Sequence, residues 1–381
     1  MNSPKAERPW GLYVHVPFCR RKCGYCDFYS LANASLLEPY LEALRHEMDF
    51  YADSTGPVDT IYLGGGTPSL LSAVQVENVI RAIRDHFAVE PGAEITFEAN
   101  PESLDGRYLE QLRLMEINRL SLGIQSLDDN VLAFLGRGHK AEDGVRAFHE
   151  ARRAGFNNIS LDFIYGVPIQ RLNAWLAMLT HALELSPEHF SLYQLTIEPS
   201  TPLGRKKAKG LIEPLTEETQ RDFFVETAEA MKTAGYTHYE VSNFSLEDGC
   251  ASRHNSKYWR HLPYLGLGPA AHSFDGEKRW WNHRSVRRYV SDMETGLCPR
   301  SGLETLDEEA LMLETLYFAF RTARGIQLDW FACRYGLDLA NRPTGLLNEL
   351  VHEGWVSVAQ GVLTPTTEGM LRADSLPLLW F

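Results

Sequence analysis

The chain has 381 residues, of which 44% are hydrophobic and 23% are charged, so it is long enough for two or three domains with sizeable cores. No apolar run approaches the ~20 residues that span a bilayer, and the polar N-terminal residues 1–8 predict no secretory signal. With 37 basic and 50 acidic residues, the net charge of −13 argues against a nucleic-acid partner. We therefore expect a cytoplasmic protein without an integral membrane segment.

Short β-rich runs alternate with helical patterns through the first half of the chain. In the helical runs apolar residues recur at i, i+3, i+4 and i+7, as they do at Val76, Val79, Ile80 and Ile83. The predicted strands are 12–16, 60–63, 94–98, 119–124, 158–164 and 189–195. The predicted helices between them are 36–51, 76–87, 105–115, 141–154 and 172–185.

Six strand–helix repeats predict parallel strands joined by right-handed crossovers. They fit an open doubly wound sheet or a full or partial (β/α) barrel, and both architectures bind ligands at the carboxyl ends of their strands. Polar motifs fall at those ends. Cysteines follow the first strand and glycines the second, Glu98 closes the third, Gln125 follows the fourth, and Asp162 lies within the fifth.

The remainder of the chain has a different pattern. A basic loop is predicted at 201–214, then a helix at 217–234 and a short strand at 237–241. Residues 242–300 are rich in Gly, His, Trp and Arg and show little periodicity. From residue 301, helices at 308–323, 328–335 and 345–353 precede a hairpin at 355–365, an order that resembles a winged helix. This segment has 5 arginines, no lysine and 11 acidic residues, which favours a lid or docking element over DNA binding.

Three of the six cysteines lie within eight residues, in a C-x3-C-x2-C spacing after the first strand. They are Cys19, Cys23 and Cys26. Clustered thiols in a reducing compartment indicate metal or cluster ligands, and three thiolates leave one iron of a [4Fe–4S] cluster open. A structural zinc site with His15 as a fourth ligand, and unligated core thiols, are the alternatives. The other three cysteines are predicted to pack as small apolar residues. They are Cys250, Cys298 and Cys333.

Gly64-Gly65-Gly66-Thr67-Pro68 follows the second strand, where glycines let a ligand approach the backbone closely. Taken alone, this run is also explained by a tight turn before a helix. Together with the cysteine motif, it resembles the radical S-adenosylmethionine (SAM) superfamily. The resemblance implies a partial (β/α)6 TIM-like barrel, SAM bound at the open iron, and its reductive cleavage to a 5′-deoxyadenosyl radical.

Further segments narrow the resemblance to the oxygen-independent coproporphyrinogen III oxidase family over most of residues 11–300. They are YVHVPF at 13–18, EANPE at 98–102, GIQS at 123–126 and DFIYGVP at 162–168. Oxidases of this family carry another cysteine two residues beyond the third, where this chain has Phe28. An H-N-x-x-Y-W stretch at 254–259 instead resembles the haem chaperones of the family. Their activity implies that the chain binds haem and delivers it to haem-requiring acceptor proteins. Oxidative decarboxylation of coproporphyrinogen is the alternative, and a zinc-binding interaction module is a third reading.

The resemblance also implies which residues contact the ligands. The implied SAM contacts are Tyr13, Tyr25, Gly65, Gly66, Thr67, Glu98, Gln125, Arg137, Asp162 and Thr196. Carboxylates suit the ammonium and hydroxyl groups of SAM, and an arginine can bind its carboxylate in bidentate fashion. Buried structural carboxylates and an ordinary loop arginine are the alternatives. The implied haem contacts are His254, Asn255, Tyr258 and Trp259. A hydrogen-bonded histidine in a packed loop is the alternative for His254, and His272 is a second candidate ligand.

We expect three parts in the chain: a radical SAM barrel over residues 1–241, a haem-related connector over 242–300, and a winged-helix-like α+β domain over 301–381. The expected cofactors are a [4Fe–4S] cluster, SAM and haem. The expected partners are haem-accepting proteins, including membrane-bound ones in transient contact, and an electron donor for the cluster.

Overall fold

The computed structural model describes residues 8–381 of the chain. Residues 1–7, on which the expectation of no secretory signal depends, lie outside it. Within the described part, no helix has both the length and the apolar composition needed to cross a membrane.

Six parallel strands form the centre of the molecule in their order along the chain. They are β1 (Trp10–Val16), β2 (Val58–Gly65), β3 (Val89–Ala99), β4 (Arg119–Gln125), β5 (Ile159–Tyr165) and β6 (His189–Gln194). The helices between them are α1 (Leu37–Tyr51), α2 (Ala73–His86), α3 (Gly106–Leu114), α4 (Asp129–Leu135), α5 (Ala141–Arg153) and α6 (Leu172–Glu184). The predicted α/β architecture is therefore confirmed, and α4 is an element that the sequence pattern does not predict.

The two faces of these strands differ in polarity. Leu12, Val14 and their counterparts on the neighbouring strands are fully buried against the helices and form the main hydrophobic core. The alternate residues point to the other face, where the Tyr13 and Tyr62 rings lie 6.1 Å apart and Ser121 donates to Asp162. Strand alternation thus places a polar interior inside a shell of apolar packing.

The central sheet extends beyond the six strands to twelve among the described residues. The added elements, in chain order, are α7 (Pro202–Ala208), α8 (Glu217–Thr233), β7 (Thr237–Glu240), β8 (Asn243–Ser245), α9 (Arg253–Trp259), β9 (Tyr264–Leu267), β10 (His272–Phe274), β11 (Lys278–Asn282), α10 (Val286–Glu294) and β12 (Arg300–Thr305). Strand β9 pairs parallel to β1, and β8 pairs antiparallel to β6. The segment predicted as a connector therefore supplies strands to both sides of the barrel sheet, while the three-part division itself stays a prediction.

The prediction of a loop over residues 201–214 is wrong in part, because α7 begins there. The Thr201 side chain caps this helix by accepting from the Gly204 amide at 3.0 Å, and Pro202 occupies its first turn. Proline is well suited to that position because its missing N–H has no helical partner to lose. The run of basic residues that suggested a loop forms the exposed face of α7.

The C-terminal segment has its own hydrophobic core and a three-stranded sheet. Its elements are α11 (Glu308–Ala319), β13 (Ile326–Gln327), α12 (Leu328–Tyr335), α13 (Leu346–His352), β14 (Val356–Ala359), β15 (Val362–Pro365) and α14 (Thr367–Met370). Short 3-10 helices complete the described secondary structure, at Ala34–Leu36, Pro68–Leu70, Pro101–Ser103, Asp248–Cys250 and Leu376–Trp380. The predicted order of helices and hairpin is confirmed.

A buried carboxylate joins α1 to the strands of residues 264–282. Glu47 is fully buried and accepts from the Gly268 amide at 2.7 Å, the Tyr289 hydroxyl at 2.6 Å and the Asn282 amide at 2.5 Å. Burial raises the pKa of Glu47 to about 7, although its three donors act in the opposite direction.

The prediction that the three isolated cysteines pack in the core is wrong. Cys298 and Cys333 are exposed, and Cys250 is only partly buried. Cys298 lies in the turn before β12, and Cys333 lies on the solvent side of α12, where the helix buries Phe331 instead.

Candidate functional site

The loop that carries the cysteine triplet is fixed by backbone hydrogen bonds to three different segments. The Cys19 amide donates to the Leu31 carbonyl at 3.0 Å, and the Gly24 amide donates to the Leu135 carbonyl at 3.1 Å. Gly24 in turn accepts from the Leu203 amide at 2.9 Å, which ties the loop to α7. All three thiols are free and half-buried at the carboxyl end of β1. These bonds fix the backbone of the cysteine loop at this end of the barrel.

Two polar side chains point at the sulfur atoms. The Thr67 hydroxyl lies 3.4 Å from Cys19 Sγ, and Arg137 Nη1 lies 3.5 Å from Cys23 Sγ. Burial raises the pKa of the nearby Tyr25 hydroxyl, while the Arg137 guanidinium acts in the opposite direction. A guanidinium and a hydroxyl are both hydrogen-bond donors, and hydrogen bonds to the sulfurs tune an iron–sulfur cluster.

The zinc hypothesis depends on His15 as a fourth ligand. Among residues 8–381, no three His, Cys, Asp or Glu side chains, the cysteine triplet included, are arranged around one metal ion. His15, the predicted fourth ligand, is buried with Nδ1 against the Tyr13 hydroxyl and Nε2 against the Tyr29 carbonyl, both at 2.9 Å. Burial also lowers its pKa to about 4, so it is a neutral, fully hydrogen-bonded ring. A three-thiol donor set suits a cluster that needs no fourth protein ligand.

Both backbone conformation and close packing explain why glycine occupies the positions after β2. Gly65 has a φ of 103°, a region that glycine adopts readily, and its amide donates to Glu98 Oε2 at 3.1 Å. A Cβ atom on Gly66 would lie 2.6 Å from the carbonyl oxygens of both Val16 and Phe18. The turn is thus packed directly onto the strand that leads into the cysteine loop.

Two carboxylates face the barrel interior next to this turn. Glu98 accepts from the Tyr62 hydroxyl at 2.7 Å, and burial with the nearby Asp162 charge raises its pKa to about 7. Asp162 accepts from Ser121 at 2.6 Å and from Ser160 at 2.8 Å, and burial raises its pKa as well. A bound cation would stabilise the ionised forms that burial disfavours.

Arg137 links the cysteine loop to the ends of β3 and β4. Its Nη2 atom donates to Asn100 Oδ1 at 2.5 Å and to the Gly123 carbonyl at 2.9 Å, while Nε is buried without a hydrogen-bond partner. The Asn100 amide donates in turn to the Thr67 hydroxyl at 3.2 Å. Asn100 is a site residue that sequence reasoning left in a motif without a role. Its position directly after β3 was the available signal.

Gln125 and Thr196 are placed at the same end of the barrel with less contact to the others. Gln125 closes β4 with a φ of 66°, an uncommon value for a residue with a side chain. Thr196 follows β6, is exposed, and lines an open surface cavity together with Gln194 and Lys207.

The haem-related stretch lies at the opposite end of the barrel, where α9 covers the beginnings of β1, β2 and β3. The amides of Arg253 and His254 donate to the Glu94 carboxylate at 3.0 and 2.9 Å, and Lys257 pairs with Asp59 at 2.6 Å. Asp59 is the second residue of β2, and Glu94 lies on β3 opposite Thr60, the residue that follows Asp59. The cysteines and the H-N-x-x-Y-W helix therefore occupy opposite mouths of one barrel.

His254 is a buried ring with both nitrogens in hydrogen bonds. Nδ1 contacts the Thr60 hydroxyl at 3.0 Å, and Nε2 contacts the Tyr258 hydroxyl at 2.8 Å. Burial lowers its pKa to about 3, and the neighbouring Lys257 charge adds to the effect. Haem ligation by His254 stays a prediction, and it would require the ring to give up one of these bonds. Asn255 and Trp259 are half-buried, and Trp259 packs on Phe318 of α11.

Comparison with known proteins favours the haem-chaperone hypothesis over the oxidase hypothesis. Residues 13–182 match the model of the radical SAM superfamily, and residues 306–372 match the model of the HemN C-terminal domain. The chain is 35% identical to Heme chaperone HemW of Mycobacterium tuberculosis over 380 residues, covering 98% of this chain and 95% of the relative. It is 33% identical to Heme chaperone HemW of Bacillus subtilis, covering 96% of this chain and 97% of the relative.

The chain belongs to the HemW family. Among solved structures, coproporphyrinogen III oxidase HemN from Escherichia coli matches with a TM-score of 0.83 over 98% of this chain and 90% of that chain. That similarity is at 23% sequence identity and shows the fold alone. The oxidase reading therefore has weaker support than membership in the HemW family. Phe28, the position at which the sequence resemblance implies a further cysteine in the oxidases, has an exposed side chain, at 67% exposure.

As a HemW-family member within the radical SAM superfamily, the chain has a [4Fe–4S] cluster and SAM as its cofactors. The site described above fits both. Three free thiols are available to iron, and Arg137 keeps an unpartnered buried Nε atom beside the thiols. Two buried carboxylates with raised pKa values lie next to the glycine turn.

Proposed function

We propose that this chain is a haem chaperone that binds haem and passes it to haem-requiring acceptor proteins in the cytoplasm. The observation that carries the proposal is the similarity to relatives named Heme chaperone HemW along nearly the whole chain, from the cysteine loop to the C-terminal segment. Phe28 at the position of the additional oxidase cysteine supports the same choice. Six cysteines without a disulfide fit a reducing compartment.

In this proposal the cysteine triplet holds the cluster, and the polar end of the barrel holds SAM. When bound, cluster and SAM together supply one-electron reductive chemistry. Arg137 is suited to the SAM carboxylate because its guanidinium is charged, buried and incompletely hydrogen-bonded. Glu98 and Asp162 are suited to the ammonium and ribose hydroxyls, since each already accepts hydrogen bonds at the barrel interior. The remaining contacts of the proposed SAM site are Tyr13, Tyr25, Gly65, Gly66, Thr67, Gln125 and Thr196.

Haem in this proposal docks against α9 and the C-terminal segment. Tyr258 and Trp259 are half-buried aromatic residues on that helix, and Trp259 already contacts α11. His254 orients Tyr258 through the bond between Nε2 and the tyrosine hydroxyl. Aromatic surface suits the flat face of a porphyrin.

An electron donor for the cluster is proposed to bind the basic surface around the cysteine loop. We define this basic surface as Arg20, Arg21 and Lys22 of the loop together with the exposed cationic side chains of α7 and its C-terminus, Arg205, Lys206, Lys207 and Lys209. The backbone bond between Leu203 and Gly24 holds the two parts together. In a chain with a net charge of −13, such a concentration of positive charge is suited to an acidic redox protein.

The function is tested with anaerobically reconstituted protein. We expect haem binding and transfer of haem to an apo-haem-protein acceptor, without CO2 release from coproporphyrinogen. Vinyl product formed together with stoichiometric 5′-deoxyadenosine would refute the chaperone proposal and establish the oxidase.

The basic surface is tested by the double substitution Lys206→Glu and Lys207→Glu. We expect the rate of cluster reduction by an acidic flavoprotein to fall about tenfold or more at low salt, because steering depends on complementary charge. Lys232→Glu, on the exposed part of α8, is the matched control. Equal rates for the double variant and the control would exclude this surface as the docking site.

A further inference from the structure

A continuous line of hydrogen bonds inside the barrel connects Asp162 to the helix that carries the H-N-x-x-Y-W stretch. The Ser160 hydroxyl donates to Asp162 Oδ1 at 2.8 Å and lies 2.8 Å from His189 Nδ1. His189 Nε2 lies 2.8 Å from the Tyr239 hydroxyl, which accepts from the Ser252 amide at 3.3 Å. We define these five residues as the interior relay. It joins a carboxylate of the proposed SAM site to the N-cap residue of α9.

Ser252 holds the first turn of α9. Its hydroxyl accepts from the Asn255 amide at 3.2 Å, and its carbonyl accepts from the Ser256 hydroxyl at 2.7 Å. Ser252 is fully buried, so its own amide has no water to bind and depends on the Tyr239 hydroxyl as its acceptor. A buried N–H group without an acceptor is strongly disfavoured. The state of the Tyr239 hydroxyl therefore bears directly on the start of α9.

All hydrogen bonds of the interior relay run in one direction when Asp162 is ionised. Ser160 has a single hydroxyl proton and gives it to Asp162, so it accepts from His189 Nδ1–H. Burial lowers the pKa of His189 well below its usual value, so the ring is neutral and Nε2 is an acceptor. The Tyr239 hydroxyl donates to Nε2 and keeps its oxygen for the Ser252 amide. Every member is then satisfied.

A proton on Asp162 permits the reverse arrangement. The carboxyl group then donates to Ser160, Ser160 donates to His189 Nδ1, and Nε2–H points at the tyrosine oxygen. The Tyr239 O–H group is left without an acceptor among the described residues, so the reverse arrangement is satisfied less well beside α9. Burial raises the pKa of Asp162 and so favours its protonated form, whereas three serine hydroxyls and the Arg119 charge act in the opposite direction. The relay thus has two discrete arrangements, and the proton on Asp162 selects between them.

We propose that the interior relay couples the two ends of the barrel, so that SAM bound at Asp162 fixes the start of α9 and strengthens haem binding against that helix. The inference rests on the proposed function and specifies its regulation. SAM carries an ammonium and a sulfonium, and positive charge beside Asp162 favours the ionised carboxylate. A helix that is already ordered binds its ligand at a smaller entropic cost. By thermodynamic linkage, haem strengthens SAM binding by the same factor.

The coupling is measured on the full chain with its reconstituted cluster, anaerobically and without a reductant, so that SAM stays intact. We expect saturating SAM to lower the haem Kd of the wild type about fivefold and to slow amide hydrogen exchange over residues 252–259. Tyr239→Phe keeps the ring and removes both bonds of the hydroxyl, so its haem Kd with and without SAM should agree within about twofold. Tyr236→Phe is the matched control, because the Tyr236 hydroxyl donates to the Pro187 carbonyl at 2.6 Å outside the relay. This control should keep the wild-type effect.

Ser160→Ala interrupts the relay at its other end, without touching Ser252, and so separates coupling from local loosening of α9. It should also lose the effect of saturating SAM on haem affinity and on exchange over residues 252–259. A haem Kd that SAM leaves unchanged in the wild type, or a full SAM effect in either relay variant, would overturn the inference and leave the chaperone function standing. Loss of the effect in Tyr236→Phe would overturn it as well, because general stability would then explain the coupling. Absence of haem binding by the wild type would instead refute the chaperone function, and this regulation with it.

Discussion

Glu47 offers a quantitative test of how residues 264–289 are held on the barrel. The group is fully buried, and its pKa is raised from an ordinary 4.5 to about 7. A carboxyl group with a raised folded-state pKa retains its proton in the folded chain after the unfolded chain has lost it. Its contribution to stability is therefore complete below about pH 4.5 and declines as pH rises through 7. The shift corresponds to about 3 kcal/mol, with a slope of ~1.4 kcal/mol per pH unit within that window.

Glu47→Gln removes the titrating group while keeping an oxygen for the Gly268 and Tyr289 donors. We expect the unfolding free energy of the wild type, measured with urea between pH 5 and 8, to fall by about 2.5 kcal/mol more than that of the variant. Glu98 and Glu240, whose pKa values are raised as well, contribute equally to both proteins. Glu42→Gln, on the exposed side of the same helix, should follow the wild type. Parallel wild-type and Glu47→Gln curves would refute the reasoning.

Two further predictions concern the cluster end of the barrel. Gly66→Ala should lower both the thermal stability and the iron content after reconstitution, because its Cβ would overlap two carbonyl oxygens. Gly106→Ala is the control, because a Cβ at that position meets open space. Equal iron content in the two variants would contradict the packing argument. Arg137→Gln should retain the cluster yet weaken SAM binding about tenfold or more, measured by calorimetry on the reconstituted protein. Unchanged SAM affinity would remove Arg137 from the proposed site.

Local sequence patterns were sufficient for the six central strands and most helices. Apolar periodicity and caps act over a few residues, so their signal is present in each segment. The pairing of β9 with β1 leaves no such signal, because its partners, such as Gly11 and Tyr264, lie far apart in the chain. The prediction of a loop over the residues of α7 was wrong for another reason. Charged residues are good helix formers on an exposed face, and the Thr201 cap was the better guide.

The position of the cysteine loop was predictable because a motif directly after a parallel strand lies at the carboxyl end of that strand. Clustered cysteines after a strand are such a case, and the structure holds their loop at the expected end of the barrel. The environment of His254 was not predictable, because the same spacing of His and Tyr on a helix permits a buried hydrogen-bonded pair or an open ligand.

The parallel pairing of β1 with β9 has a consequence for synthesis of the chain. At the usual pace of translation, about 13 to 50 s separate the appearance of Gly11 from that of Tyr264. During that interval the edge of β1 has unpaired backbone groups, directly before the cysteines that we propose as cluster ligands. Cluster insertion on a nascent chain would thus meet an unfinished sheet, whereas insertion after release meets a sheet in which β9 is paired with β1. Ribosome-bound chains stalled before and after β9 should therefore differ in how well they retain iron.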